Sequence, residues 1–526
     1  MRTPAGGGSG RKRVAIARTK PAPVRGWNAH DSIASMHEAD AVILDNWFPQ
    51  ASDIMLRKGS AAHVTDIGSG AEVQTLAAYR PESGNQKLFG WAGDSLYDVS
   101  SAGTVGSALV GSLTHARWQH VNFTASGGGH ELLCVNGADD MLRYDGSSWT
   151  TIDAGTSPAI TSVATNTLVG IHVHKERVWY IPANSLDVWY SDAGAFAGAL
   201  TKFPLGSVFK KGGYLMAMGT WTLDGGDGSD DLAVFVTSEG EVAVYAGTDP
   251  ASSSTWAKVG LYTIGTPIGR RCLEQLGGDL LIITTDGVIP CSRLAKAKED
   301  RTVAITDAIQ TAMATAVQLY GSTFGWEATL FPAGTMLLVN VPVASGLQQQ
   351  FVMNTVTKRW CRFRPMGANP GWPANCFEVF NGQLYFGAKG AVCKAWTGTA
   401  DLGLAIESEV LCAFSAFSNS NVTKHFTMVR PIIGWDSNPA EILIGVDVDF
   451  ISTAPTGAVT LPQSTGAQWD AGTWDQSQWG GEIQLLKDWY GAEGIGFTGA
   501  FHMTIKSSKS NVHLSAISYV FEPGEI

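Results

Sequence analysis

His172 and His174 alternate with Glu176 along one predicted strand, and this spacing superficially resembles a set of metal ligands. A zinc site needs three or four ligands in a fixed geometry, and no further ligand group stands out in this stretch. The same alternation in "IHVHKERVWY" is typical of an exposed strand face. The pattern therefore favours a strand face, and we expect no metal here.

The second candidate for chemistry is the acidic run "LDGGDGSDDL", which contains Asp224, Asp227, Asp230 and Asp231. Aspartates in a glycine-rich loop could hold Ca²⁺, but the ligand spacing and the distal Glu of an EF-hand are missing. We therefore expect a polar hairpin loop at this position.

The third candidate is a pair of carboxylates of the kind that cleaves glycosidic bonds. "YDGSSW" (144–149) and "WDAGTW" (469–474) come close to the Asp-box turn of sialidase-type propellers, without its full spacing. That turn stabilises a fold and is not catalytic. A glycosidase needs two carboxylates opposed in a cleft, and no motif here identifies such a pair. Nucleophile-elbow, P-loop and dinucleotide motifs are also missing from the sequence. We therefore predict that the protein is not an enzyme and needs no cofactor.

The composition indicates a β-rich chain with many tight turns. The 526 residues include 61 Gly and 18 Trp, and only 16% of them are charged. Coiled coils and helical bundles need many more Glu, Lys and Ala than this. The net charge of −11 argues against general nucleic-acid affinity, because phosphate binding requires clustered Lys and Arg. A role beside DNA in which adhesion must be avoided remains compatible with that charge.

The cysteines and the N-terminal stretch bear on where the protein is made. Seven cysteines without a C-x-x-C pair favour a reduced, cytoplasmically made protein with buried thiols. The N-terminal stretch lacks the apolar segment of a secretory signal, and no run is long enough to span a membrane. We expect neither export by the usual route nor membrane insertion.

One pattern recurs from about residue 76 to 400 and predicts a degenerate β-propeller. Short apolar strands of period 2 are joined by turns rich in Gly, Asn and Asp, as in "LAVFVTSEGEVAVYAG" (232–247). The copies lie roughly forty to fifty residues apart, as propeller blades do, and we count about six or seven of them. Tryptophans that recur at strand ends would pack between blades. These are Trp149, Trp179, Trp189, Trp360 and Trp396.

Two segments depart from the blade pattern. Residues 299–321 are predicted to form one helix, inserted on the side of the propeller, with Thr306 and Asp307 in its cap region. Residues 401–526 are predicted to form a separate C-terminal β-sandwich-like layer, because their strands are longer and alternate cleanly.

Residues 1–26 are rich in Gly, Pro and basic side chains, and we interpret them as a flexible basic arm. Arg11, Lys12 and Arg13 could remain solvated or could order against an acidic partner or a neighbouring subunit.

The C-terminal stretch "QWDAGTWDQSQWGG" repeats Trp every five residues, at Trp469, Trp474 and Trp479. This period fits neither a helix nor a strand, so we interpret the stretch as successive turns that each direct an indole the same way. The indoles either pin an irregular loop to its own sheet or form an aromatic shelf at a subunit interface. In both cases their role is packing.

The most recognisable stretch of the chain is "HEADAVILDNWFPQASDIMLRKG" (37–59). It resembles the N-terminal signature of the podophage tail tubular protein B, or tail nozzle (packaged-DNA stabilisation), family, in which the signature precedes a β-propeller. The matching residues are Leu44, Asn46, Trp47, Phe48, Pro49, Arg57, Lys58 and Gly59. The C-terminal Trp stretch and "SYVFEPGEI" are similar to the ends of these phage proteins. The resemblance follows the whole chain in order, with residues 27–75 as an N-terminal segment that faces an adaptor.

The resemblance implies a structural virion protein of a short-tailed phage. Six copies would form a tail nozzle that retains packaged DNA and conducts it during ejection. The implied partners are the other copies, a tail adaptor or head-completion protein, a tail fibre or spike, and DNA passing non-specifically through the lumen. The implied location is the virion tail, after synthesis in the host cytoplasm. The alternative is a glycan-binding or glycan-cleaving propeller of the tail, which would need an Asp/Glu pair facing a shared pocket.

Overall fold

The computed structural model of the protein describes residues 14–82, 84, 86–224, 229–297, 303–436, 441–459, 461 and 484–524. The fold is mainly β, with 52% of residues in strands and 7% in helices. The chain divides into two compact units. We call Lys58–Leu404 the propeller unit, and Met1–Arg57 with Ala405–Ile526 the terminal unit. The first boundary falls inside the predicted segment 27–75, because residues from Lys58 onward belong to the propeller unit.

In the described part of the propeller unit, the antiparallel strands form seven groups, which we number as blades along the chain. The strands of the first three blades are Val73–Tyr79, Lys87–Ala92 and Ser95–Asp98 in blade 1; Gln119–Thr124, His130–Val135, Met141–Tyr144 and Trp149–Ile152 in blade 2; and Leu168–His174, Arg177–Pro182, Asp187–Tyr190 and Thr201–Pro204 in blade 3. Blade 4 contains Leu215–Asp224, Ser229–Thr237, Glu241–Gly247 and Trp256–Thr263, and blade 5 contains Leu273–Leu276, Asp279–Thr284 and Gly287–Pro290. Blade 6 contains Glu327–Phe331, Met336–Ala344, Leu347–Asn354 and Arg359–Phe363, and blade 7 contains Cys376–Phe380, Gln383–Ala388 and Ala391–Ala395, with Ser60–Thr65 as its fourth strand.

The strands of blades 1 to 5 form hydrogen-bonded ladders only within their own blade. Blades 6 and 7 are four-stranded portions of a nearly closed sheet. The first strand of each blade contacts the first strand of the next, and blade 7 contacts blade 1 in the same way. The ring is closed by Ser60–Thr65, which precedes blade 1 in sequence and pairs with the last strand of blade 7. Closure protects sheet edges that would otherwise remain open. The predicted β-propeller is therefore confirmed, with five blades as separate sheets and blades 6 and 7 within the nearly closed sheet.

Aromatic side chains fill the space between neighbouring blades. Trp149 of blade 2 packs edge-on against Phe89 and Trp91 of blade 1, at centroid distances of 4.9 and 5.7 Å. Trp179 of blade 3 stacks on Trp256 of blade 4 at 5.7 Å. At Trp149 and Trp179, the recurrent Trp therefore lies where the sequence predicts it.

The inserted helix is shorter than predicted. An α-helix spans Gln310–Tyr320 after a single 3-10 turn at Asp307–Ile309, and residues 298–302 lie outside the described residues. Thr306 does not cap the helix with its side chain, because its hydroxyl accepts a hydrogen bond from the Val288 N–H at 3.1 Å. Among the described residues, the other helical segments are Leu294–Ala297 and the 3-10 turns Ile67–Gly70, Thr165–Thr167, Cys291–Arg293 and Pro332–Gly334.

The terminal unit contains two sheets, as the predicted β-sandwich-like layer requires. The first comprises Ile16–Pro21, Trp47–Pro49, Ile54–Leu56, Lys424–Trp435, Gln484–Leu486, Tyr490–Gly496 and Val512–Pro523. The second comprises Ala41–Asp45, Leu404–Cys412, Glu441–Val448, Gly457–Val459 and Gly499–Ser507. Two short strands of the propeller unit, Gly103–Thr104 and Ala400–Asp401, pair in parallel with Ser60–Thr65.

The two sheets of the terminal unit approach each other closely at a glycine. Gly499 of the second sheet lies against the Phe426 ring of the first, and a Cβ atom at Gly499 would come within 2.4 Å of that ring. The first sheet of the terminal unit also includes part of the predicted arm, since Ile16–Pro21 pairs antiparallel with residues 516–521. The described end of the arm is therefore an ordered strand.

Candidate functional site

A cavity lies on the axis of the propeller unit. The cavity has a volume of about 470 Å³, and the first strand of every blade, or a residue next to it, lines it. Because the first strands converge on the axis, any polar side chain that they direct inward meets those of the other blades. We call this space the axial cavity.

Arg271, two residues before the first strand of blade 5, crosses the axis to three other blades. Its Nη1 donates to Glu327 Oε2 of blade 6 at 3.1 Å. Its Nη2 donates to Thr75 Oγ1 at 2.7 Å in blade 1 and to the carbonyl oxygen of Trp118, next to blade 2, at 3.1 Å. One guanidinium thus links blades 1, 2, 5 and 6.

A second cluster of charged side chains lines the same cavity. Arg80, next to blade 1, forms an ion pair with Glu378 of blade 7 and also donates to the Val379 carbonyl oxygen at 2.6 Å. His120 Nε2 of blade 2 lies 3.4 Å from the other carboxylate oxygen of Glu378. This group joins the first and last blades across the point where the ring closes.

Two glutamates of the cavity hold their protons at unusually high pH. Burial raises the pKa of Glu327 to about 7, although Arg271 and the Phe377 N–H both favour its ionised form. Burial also raises the pKa of Glu274 to about 7, and the negative charges of Glu327 and Glu378 add to the effect. The Leu330 N–H, 2.8 Å from Glu274 Oε1, opposes it. Both carboxyl groups can therefore gain or lose a proton near neutral pH, which is the property of a general acid or base.

The signature residues up to Arg57 are buried within the terminal unit, whereas Lys58 and Gly59 belong to the propeller unit. Asn46 adopts a left-handed backbone conformation with φ of 60°, and its Nδ2 donates to the Glu407 carbonyl oxygen at 2.7 Å. Arg57 Nε donates to Asn46 Oδ1 at 2.9 Å. The segment Trp47–Pro49 pairs antiparallel with Ile54–Leu56, and the side chains of Trp47 and Phe48 are buried. Trp469, Trp474, Trp479, Arg11, Lys12 and Arg13 lie outside the described residues.

The histidines singled out in the sequence share one hydroxyl. His172 Nε2 and His174 Nδ1 lie 2.9 and 3.0 Å from Thr220 Oγ1 in blade 4. Burial lowers the pKa of both histidines to about 4, so both are neutral at physiological pH. Among the residues that the structure describes, no cluster of three His, Cys, Asp or Glu side chains is arranged to hold a metal ion.

Three of the acidic candidates, Asp224, Asp230 and Asp231, lie in the two paired strands of a hairpin, and Asp227 lies outside the described residues. Leu215–Asp224 and Ser229–Thr237 pair as a hairpin up to Asp224 and Ser229, on either side of residues 225–228, which lie outside the described residues. In "YDGSSW", Asp145 Oδ1 accepts hydrogen bonds from the N–H groups of Ser147 and Ser148 at 2.9 and 2.8 Å. That aspartate therefore stabilises the turn between the last two strands of blade 2.

The side chains that meet on the axis were not predicted from the sequence as site residues. They are Arg80, Arg271, Glu274, Glu327 and Glu378. A signal for the glutamates was present, because each lies in a strand that is otherwise largely apolar, in "LEQL", "EATLF" and "CFEVF". A charged residue in a buried strand needs a partner, and aligning the blade repeats would have placed these three at similar positions.

No family model matches the chain, and no curated protein matches it. Among solved structures, it is similar to BBS1N, solved in complex with ARL6DN, at 10% identity and a TM-score of 0.39, over 66% of this chain and 99% of that one. It is also similar to the extracellular domain of a hybrid two-component system from B. thetaiotaomicron, at 11% identity and a TM-score of 0.39, over 82% of this chain and 51% of that one. YCF48 bound to D1 peptide matches at 13% identity and a TM-score of 0.28, over 65% of this chain and 96% of that one.

These neighbours are β-propellers, which is the class that the blade pairing defines for this chain. At such identities and TM-scores they carry no argument about function. No helix in the described ranges is long and apolar enough to cross a membrane.

Proposed function

We propose that this protein is a structural subunit of a phage tail nozzle, which retains packaged DNA and conducts it during ejection. The observation that carries the proposal is the signature at residues 37–59, whose matching residues up to Arg57 are buried in the terminal unit. Asn46 and Arg57 bond to each other, and Asn46 also bonds to the strand Leu404–Cys412. A shared sequence signature that forms one buried group supports a shared fold of that unit, because each residue has a defined structural role there.

Charge and cysteine chemistry support the same proposal. A net charge of −11 suits a wall along which DNA must pass without adhering, since acidic surfaces repel phosphate. All seven cysteines are buried thiols outside any disulfide, as expected for a chain that folds in a reducing cytoplasm before it is built into a particle. In this proposal the protein is not an enzyme. It assembles as a hexamer in the virion tail, between an adaptor and a fibre or spike.

The proposal predicts the phenotype of particles that lack this chain. If the protein retains packaged DNA, capsids assembled without it should fill with DNA and then lose it. The measurement is the fraction of particle DNA that becomes sensitive to an added nuclease, compared between complete lysates and lysates in which the gene is interrupted. Equal protection of the DNA in both lysates would contradict a role in retention.

A second candidate function is favoured by one observation, namely that Glu274, Glu327 and Glu378 line a single cavity. A glycan-cleaving or glycan-binding propeller would need carboxylates that share a pocket. The purified protein would then release reducing ends from the host polysaccharide, and Glu274→Gln would abolish the release. No release of reducing ends and no binding of the polysaccharide would remove this candidate.

A further inference from the structure

A smaller cavity of about 220 Å³ adjoins the axial cavity, and its ionisable lining is entirely basic. Arg117, Arg270, Arg271 and His115 line it, and among the described residues no aspartate or glutamate does. Arg270 and Arg271 line both cavities, so the two spaces meet at these side chains. The other lining residues lie within or near strands of blades 2, 3, 5 and 6.

The positive charges of this cavity are only partly neutralised. Arg271 is compensated by Glu327, which lines the axial cavity. Within the described part of the chain, Arg117 and Arg270 form no ion pair. Arg270 Nη1 lies 3.4 and 3.3 Å from the carbonyl oxygens of Leu215 and Met216, at the long end of hydrogen bonding. Arg117 Nε lies 3.4 Å from the amide oxygen of Gln74. Both guanidinium groups therefore retain donors and charge for another acceptor.

Aromatic rings hold these guanidinium groups in position. Phe324 lies between two of them, since the Cζ atoms of Arg117 and Arg271 stand 4.4 and 5.3 Å from its ring centroid. Arg270 Cζ stands 5.6 Å from the Tyr214 ring centroid. A ring that stacks against the face of a guanidinium leaves the N–H groups at its edge available to donate to an oxyanion. Like charges gathered in this way repel each other, and a bound anion would relieve that repulsion.

We propose that this basic cavity binds a small oxyanion, meaning the carboxylate or phosphate group of a small molecule. Guanidinium groups recognise both oxyanions through paired N–H donors. The amides of Gln119 and Asn136, which also line the cavity, can add neutral donors. The volume suits a small molecule and not a nucleic-acid duplex. The inference is independent of the proposed role in the phage tail, since it depends only on the propeller unit.

Isothermal titration calorimetry of the full chain tests the proposal, with inorganic phosphate and succinate as probes at matched ionic strength. We expect at least one probe to bind with a 1:1 stoichiometry. Arg117→Gln should weaken that binding by about tenfold, as expected for the loss of one charge-assisted contact. Arg117 is exposed, so this variant should fold, and its melting curve verifies that it does. Binding of phosphate alone identifies a phosphate-bearing ligand, and binding of succinate alone identifies a carboxylate ligand.

Lys258→Gln is the matched control, because it removes one positive charge from an exposed position on blade 4 that lines neither cavity. It should leave the affinity unchanged. The proposal is overturned if neither probe binds, or if Lys258→Gln weakens binding as much as Arg117→Gln does, since the effect would then reflect net charge alone.

Discussion

Arg271 shows how a single side chain can hold a ring of sheets together. Its guanidinium is the partner of a buried carboxylate and also donates to backbone and hydroxyl oxygens near two other blades. Hydrophobic packing between blades is distributed over many residues, whereas this contact depends on one charge. At this scale the structure makes a direct prediction about stability.

Arg271→Met should lower the free energy of unfolding by about 3 kcal/mol, because Glu327 loses its ion-pair partner and must either stay charged without compensation or take up a proton. Adding Glu327→Gln to the same chain should recover part of the loss, since the unpaired carboxylate is then gone. Urea denaturation followed by tryptophan fluorescence measures both variants, with Lys258→Met as the control for loss of a surface charge. A loss within about 0.5 kcal/mol for Arg271→Met would show that the linkage across the axis contributes little.

At the scale of elements, the two sheets of the terminal unit depend on a close approach. Gly499→Ala would place a Cβ atom 2.4 Å from the Phe426 ring, and either the ring or the strand must move. We expect a loss of about 1–3 kcal/mol, the usual range for overpacking a core. Gly491→Ala is the control, because that glycine has no neighbouring atom within 4 Å of the added Cβ. Equal stability of the two variants in thermal melts would contradict the close packing of these sheets.

A buried histidine also connects three strands of the second sheet. His502 Nδ1 lies 2.9 Å from Asp447 Oδ2, and its Nε2 lies 3.0 Å from Glu409 Oε1. Burial alone would lower the pKa of His502, but the hydrogen bonds and charges of the two carboxylates outweigh it and raise the pKa to about 9. The other charged pair on these strands, Lys506 with Glu407, lies toward their exposed end.

The raised pKa fixes the direction of the pH dependence. Because the folded protein holds this proton more tightly than the unfolded chain does, the stabilisation is complete below about pH 6.5 and declines as the pH rises through about 9. Melting temperatures of the wild type and of His502→Gln should therefore differ most at about pH 6 and converge by about pH 10. A difference that stays constant over this range would mean that His502 does not carry the proton in the folded state.

At the scale of the whole molecule, local sequence patterns predicted the fold class but did not predict which side chains meet on the propeller axis. Alternating strands joined by Asn-Gly and Asp-Gly turns encode a hairpin within a few residues, so the blades could be recognised from sequence. The helix at Gln310–Tyr320 was recognised for the same reason, although its start was not. The pairing of Ser60–Thr65 with blade 7 could not be predicted in this way, because its partners lie more than 300 residues apart in the sequence.

The candidate site was harder to predict than the fold, since it exists only after the ring has closed. Glu274, Glu327 and Glu378 are separated by about fifty residues from one to the next, and no local motif links them. The signature residues illustrate the opposite case. Asn46 and Arg57 are close in sequence and were identified as structural or interface residues, and within the terminal unit they bond to each other.

The most direct test of the central claim is immunogold electron microscopy of phage particles, using antibody raised against this purified chain. A tail-nozzle subunit predicts label at the tail tube next to the portal, at one position per particle. Label on peripheral fibres or spikes would contradict the nozzle and favour the glycan-binding propeller. An absence of label from particles would contradict the assignment to a virion altogether.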